Sequence, residues 1–317
     1  MNKKSAAENT KRVKGISLWK DAWNRLKRHK LAMVSLVIIG LYVVLAVFVY
    51  VAEFADWQLS PLDWNEQVAK EYQAPTWSHP FGTDFLGRSV LRKTLYGARI
   101  SLTVAFFASA ISVAIGVPLG AIAGYFRGIT DEIIVWVYTT LASIPYILLI
   151  LAFALVLKDK SINLEWANMG VLKLTGITSV YLAMGLTSWV GICRLIRGEV
   201  IKHKDREYVL AAKSYGCSNA TIISKHLMPN VVHIVIINFS LRFVSFVQAE
   251  VILSFLGLGV KGEPSWGTMI DSARLDLTKG YWWEMTAATV AIFIISLALN
   301  IFGDALRDAL DPKLKIE

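Results

Sequence analysis

Apolar and polar positions along this chain fall into long blocks rather than into the short alternation of a soluble fold. Charge-free runs at 31–52, 100–126, 133–157, 174–193 and 285–303 hold 22, 27, 25, 20 and 19 residues. At about 1.5 Å per residue, each can cross the roughly 30 Å hydrocarbon layer of a bilayer. A sixth run, from about 231 to 258, is long enough but carries Arg242 and Glu250. The pattern predicts six membrane-spanning helices with both chain ends on one side. Helices are required because backbone exposed to lipid must satisfy its hydrogen bonds within each segment.

Between the fourth and fifth runs lies a polar, basic segment, 207–230, with a helical pattern of its own. Asp205 predicts a cap for a helix that runs to Tyr215. Gly216 predicts its stop, Ser218 the cap of a second helix, and Pro229 the end of that one. Tyr208, Ala211, Ala212 and Tyr215 share one face of the first helix. Leu210 stands among charged residues on the other. In the second helix Ile223 and Leu227 stack one turn apart. Such a hairpin is either a plain connector or a docking element that an aqueous partner grips, with Leu210 as a candidate contact.

Composition narrows the function classes. The chain has 317 residues, 55% of them hydrophobic and 18% charged, more apolar surface than a soluble domain can hide. The net charge of +9 does not point to nucleic acid, because no basic stretch alternates with stacking aromatics. It is better read as loop charge. With the N-terminus inside, inner segments hold 21 Lys and Arg against 11 outside, which predicts both termini in the cytoplasm. Ten of these precede the first run, which reads as an uncleaved anchor. The scattered histidines lack metal-ligand spacing, and Cys193 and Cys217 predict no disulfide. No G-x4-G-K-[ST] loop, Ser/His/Asp elbow or HExxH occurs, so no catalytic or metal residue is nominated.

Two further patterns carry candidate chemistry. Residues 79–89 read HPFGTDFLGRS, a Pro/Gly turn that predicts a cap by Asp84 or Thr83. The following basic stretch, 85–96, predicts an amphipathic helix lying at the outer interface with snorkelling side chains. In the run at 231–258 Asn238, Arg242 and Ser245 share a stripe, with Gln248 and Glu250 nearby. Intramembrane charge is costly, so these five are candidates for lining a pathway or for internal pairing. Arg242 and Glu250 lie about 12 Å apart along the helix, too far for a direct pair. Gly116, Gly120 and Gly124 form a small-x3-small ladder suited to close helix packing or to a sliding interface.

The segment EYVLAAKSYGCSNATIISKHLMPN resembles the EAA loop of ABC importer permeases, in the form typical of the dipeptide/oligopeptide family. Glu207, Ala211, Ala212, Gly216, His226 and Pro229 match that pattern; Leu210 stands where the family has glutamate. His79, Phe81, Gly82, Thr83, Asp84, Gly87 and Arg88 match the family's HPFGTDxLGRD signature, with Ser89 in place of the last Asp. Residues 250–269 and 302–312 resemble its later signatures, whereas Trp136 and Thr139 stand where family members often carry Arg and Asp. The resemblance implies an all-α membrane protein of six transmembrane helices with the type I ABC importer permease (MetI-like) architecture.

It also implies an organisation. A basic cytoplasmic segment at 1–30 precedes an anchor at 31–52 and an outer loop at 53–99. A five-helix core at 100–303 contains the coupling loop 194–230, and a cytoplasmic tail follows at 304–317. The implied function is the transmembrane subunit of an ATP-driven dipeptide or oligopeptide importer in the bacterial inner membrane. The implied partners are a second permease forming a heterodimer, two cytoplasmic ATP-binding subunits and an extracytoplasmic peptide-binding protein. ATP and Mg would be used by the partner ATPases, with no cofactor on this chain. A nickel or other small-solute permease, or an ATP-independent secondary transporter, are the alternatives.

Overall fold

The computed structural model describes residues 18–54, 63–158, 160–163, 171–174, 176–260 and 262–310. A short amphipathic helix α1 (Leu18–Arg28) leads into α2 (Lys30–Phe54). The bundle continues with α3 (Val90–Phe126), α4 (Gly128–Ala142), α5 (Tyr146–Leu157) and α6 (Ile177–His203). After α7 (Glu207–Ser214) and α8 (Asn219–Thr221), a π turn (Ile222–Leu227) feeds α9 (Met228–Phe255). The described chain ends with α10 (Trp266–Leu277) and α11 (Trp283–Leu310). Between α5 and α6 the strands β1 (Lys160–Asn163) and β2 (Val171–Leu174) pair antiparallel, Lys160 opposite Leu174. Helix α6 starts at Ile177, so Leu174, the first residue of the expected span, belongs to a strand instead.

Among the described residues, five helices are long and apolar enough to cross a membrane, and α4 with α5 make a sixth span if counted together. These two are bent by 93° at Ser143–Pro145. The straight third span expected from composition is thus replaced by two half-helices. Pro145 cannot donate an N–H, and it disfavours helical geometry at the residue before it. Helix α2 stands at the outside of the bundle, with Leu31, Val34, Val37, Leu41 and Val44 exposed as an apolar stripe.

The glycine ladder is an intrachain packing device. A Cβ on Gly116 would sit 2.7 Å from the Trp189 carbonyl oxygen, one on Gly120 2.5 Å from that of Cys193, and one on Gly124 2.8 Å from that of Arg197. Three successive turns of α3 thus lie directly on the backbone of α6. Lower on the same pair, Gly185 of α6 faces Ile111. Asp131 of α4 closes the far end with a two-pronged bond to Arg197 of α6, at 2.6 and 2.7 Å.

The interfacial helix expected at 85–96 does not form. Residues 85–87 are turn, Arg88 and Ser89 make single β-bridges to Gln67 and Thr83, and 90–96 are the first turns of α3. Ser89 caps that helix, accepting from the Arg92 N–H, so neither Asp84 nor Thr83 is the cap. The basic side chains do not snorkel freely. Lys93 is buried between Asp84 (2.9 Å) and Glu284 (2.5 Å), Arg92 meets Glu66, and Arg99 meets Glu263. Acidic partners from nine to 191 residues away hold these side chains in place.

Candidate functional site

The hairpin after α6 is built from three local devices. Helix α7 begins at Glu207 without a side-chain cap, so Asp205 does not play that role. It ends in a Schellman motif: Cys217 N–H donates to the Ala212 carbonyl and Gly216 N–H to that of Lys213. Gly216 takes φ +77°, a conformation open to glycine and strained for other residues. Ser218 then caps α8, accepting from Thr221 N–H at 3.3 Å.

Pro229 does not end the second helix. It sits in the first turn of α9, and the helix runs without a break from Asn219 to Phe255. The adjustment is the π turn just before it, where Met228 N–H reaches back to the Ile223 carbonyl. One extra residue in the turn widens the coil and relieves the clash that a proline ring makes with the carbonyl four residues earlier. The buried pair across this turn is therefore Ile222 and Leu227, five apart, with Ile223 only half-buried.

The buried face of α7 also differs from expectation. Val209 and Ala212 are enclosed with Ile222, Leu227, Ile192, Ile196 and Val231. Tyr208, Leu210, Ala211 and Tyr215 are exposed, Tyr215 at 88% and Leu210 at 49%. Glu207, Gly216 and Pro229 are exposed as well, and His226 is half-buried. The hairpin thus seats one apolar edge on the bundle and turns a mixed apolar surface outward. Tyr125 at the end of α3 braces it, donating to Asn219 Oδ1 at 2.8 Å while Lys213 lies over its ring. Lys204, at the base of the hairpin, has its ammonium pulled below the ordinary lysine range, by burial first and then by Arg127.

In α9 the two charged residues have separate surroundings. Arg242 donates from Nη1 to the Ser188 carbonyl at 2.8 Å and lines a cavity of about 470 Å³ at the α4–α5 bend. Glu250 is fully enclosed and corresponds to internal pairing, not to a lining position. It accepts from Ser101 of α3, Ser254 of α9 and Ser265, the N-cap of α10, at 3.1, 2.7 and 2.7 Å. Ser245 and Gln248 are exposed, and Asn238 is half-buried with its amide on the Ile234 carbonyl.

At the opposite end of the bundle, the 79–89 motif forms a tight double turn. Gly82 and Gly87 take φ +64° and +71°. Asp84 accepts from the N–H groups of Leu86 and Arg88, and Thr83 donates to the Lys70 carbonyl. Trp283 donates its indole N–H to the Thr83 carbonyl at 2.8 Å. Phe81 packs on the core, Arg88 lies over Trp64, and His79 holds the turn through its backbone.

Comparison with known proteins places this architecture. Residues 116–316 match the family described as binding-protein-dependent transport system inner membrane component. Residues 17–75 match the N-terminal TM domain of oligopeptide transport permease C. The chain belongs to this permease family. The dipeptide transport system permease protein DppC of Bacillus subtilis (strain 168) is 38% identical over 315 residues, covering 99% of this chain and 91% of that protein. The oligopeptide transport system permease protein OppC of the same organism is 35% identical, covering 95% and 92%. The glutathione transport system permease protein GsiD of Shigella dysenteriae serotype 1 is 34% identical, covering 94% and 91%. A chain from inward-facing structures of the MetNI methionine ABC transporter superposes with a TM-score of 0.50 at 15% identity, covering 69% of this chain and 96% of that one. That likeness shows the shared MetI-like fold.

As a member of this family, the chain is a multi-pass membrane permease and a transport component that works with other ABC transporter parts. Several of its key residues escaped sequence reasoning. Ser101, Ser254 and Ser265 are ordinary residues in sequence and become the shell of Glu250 only in three dimensions. The permease signature at 250–269 gains a physical reason: Gly267 packs against Ser254 so closely that a Cβ would lie 2.6 Å from that side chain's Cβ. Asp131 and Arg197, likewise, are 66 residues apart and gave no local signal.

Proposed function

We propose that this chain forms half of the translocation pathway of an ATP-driven importer of short peptides. The relatives named above are dipeptide, oligopeptide and glutathione permeases, and each of those solutes is a peptide. In this reading the chain pairs with a second permease, two ATP-binding subunits use ATP and Mg, and an external binding protein delivers the peptide. The bundle end that carries the hairpin faces the cytoplasm of a bacterial inner membrane, in keeping with the Lys/Arg bias.

One observation supports the coupling role most directly. The hairpin exposes Leu210 and Tyr215 while Val209, Ala212, Ile222 and Leu227 tie it into the core. It is also continuous with α9, the helix that carries Arg242. A push on α7 passes through the packing of Val209 and Ala212 on Ile222 and Leu227 to the second arm of the hairpin, which runs unbroken into that membrane-spanning helix. ATP-driven closure of the partner subunits would move the hairpin and tilt α9, exposing the pathway alternately to each side. Leucine at position 210 makes this contact apolar rather than ionic.

The test is co-purification and crosslinking. Tagged chain extracted in mild detergent should bring down a second permease and ATP-binding subunits. A Leu210→Cys variant should crosslink to cysteines placed in a surface cleft of the ATPase, with a yield that changes on adding ATP. A stable preparation of this chain alone that transports in liposomes without ATP would overturn the reading.

A further inference from the structure

The cavity at the α4–α5 bend combines features that the coupling role does not use. Its rim, Ser143–Tyr146, is exposed, and α6 supplies Thr187, Ser188 and Gly191 on the other side. Arg242 projects into it from α9. This residue lies midway along Met228–Phe255, roughly 20 Å from either end at about 1.5 Å per residue. Of the described residues lining the cavity, none is acidic. The guanidinium is instead held by one neutral acceptor, the Ser188 carbonyl, and its Nε is buried without a hydrogen-bond partner. A cation at membrane depth is costly without a counter-charge. The site therefore has the form of half an ion pair.

Two neighbours add to it. The Ser188 hydroxyl donates to the Tyr146 hydroxyl at 3.1 Å, which leaves the tyrosine proton available to an acceptor. Tyr146 also opens α5, whose N-terminus has no side-chain cap, so the positive end of that half-helix borders the same space. Gly191 makes room for the guanidinium, since a Cβ there would collide with Nη2.

We propose that this cavity is a carboxylate site in the translocation pathway, with Arg242 and Tyr146 gripping the C-terminal carboxylate of the transported peptide. The proposal rests on the peptide-importer reading. The mid-membrane depth of Arg242 favours a passing solute over a lipid phosphate, which sits at the interface.

The experiment uses the assembled transporter in nanodiscs, without the external binding protein, so that only the pathway is read. Binding of a tripeptide is compared with that of its C-terminal amide. The free acid should bind at least about tenfold more tightly, the scale of one charge-assisted hydrogen bond. Arg242→Gln should abolish this preference and Arg242→Lys should retain part of it. Gly191→Ala, which displaces the guanidinium without removing it, should weaken acid binding and spare the amide; it serves if Arg242→Gln fails to assemble. Equal binding of acid and amide by the wild type would overturn the site while leaving the importer reading intact. A preference that survives both Arg242→Gln and Gly191→Ala would do the same. A complex that, in liposomes with its external binding protein and ATP, imports no peptide would instead overturn the importer reading. Competition by short-chain phosphatidylglycerol but not by peptide acid would assign the site to lipid and refute the proposal.

Discussion

Replacing Lys93 by methionine should be among the most damaging single changes outside the hairpin. The ammonium lies between Asp84 and Glu284, and the three side chains are 7%, 0% and 5% exposed. Methionine keeps most of the volume, so the effect is electrostatic rather than a cavity. It would leave two carboxylates facing one another with no cation between them. Breaking a buried ion pair from one side costs about 3–5 kcal/mol. With large domains losing roughly 2 °C per kcal/mol, the midpoint of thermal unfolding should fall by about 6–10 °C. The loss should be felt at the 79–89 turn and at the start of α11, because Asp84 and Glu284 anchor those two segments to α3. The assay is thermal unfolding of the purified chain in detergent, read by intrinsic tryptophan emission, to which Trp283, its indole tied to the same turn, contributes. Glu284→Gln is the control; it leaves Lys93 paired with Asp84 and should cost much less. A Lys93→Met midpoint within about 1 °C of the wild type would refute the idea that this triad holds the loop to the bundle.

Three other outcomes are expected. Gly120→Val puts a branched side chain onto the α6 backbone and should destabilise by about 1–3 kcal/mol, visible as lost monodispersity in size-exclusion chromatography. The same change at Gly40, where a Cβ meets nothing within 4 Å, should be silent. Glu250→Ala leaves the hydroxyls of Ser101, Ser254 and Ser265 without their shared acceptor, and proteolysis should open the α9–α10 turn; an unchanged digestion pattern would count against the hub. Leu210→Asp should leave insertion and thermal stability unaltered, because the side chain is half exposed, yet reduce ATP-dependent uptake by about tenfold or more, the cost of placing a charge in an apolar contact.

Much of the helical inventory was legible because lipid imposes a simple rule. A run of some twenty uncharged residues has few soluble uses, so five of the six spans follow from charge spacing, and only 231–258 carries charges. The hairpin was legible for a related reason: Gly216 and Ser218 are local stop and start signals that act whatever packs around them. The errors share a cause. The sequence predicts a helix end at Pro229, whereas a π turn absorbs the proline and α9 runs on from the packed Ile222–Leu227 edge. The basic run near residue 90 was expected to snorkel, and Asp84, Glu263 and Glu284 claimed it instead.

The sequence by itself determined that this is a helical membrane protein, roughly where its apolar runs lie and where the polar hairpin turns. These properties follow from transfer free energy and backbone hydrogen bonding, which are read residue by residue. Only the tertiary structure decided which charges are partners, which glycines touch, and that a broken helix and Arg242 share one cavity. Those are contacts between residues tens to hundreds of positions apart, and no local preference encodes them.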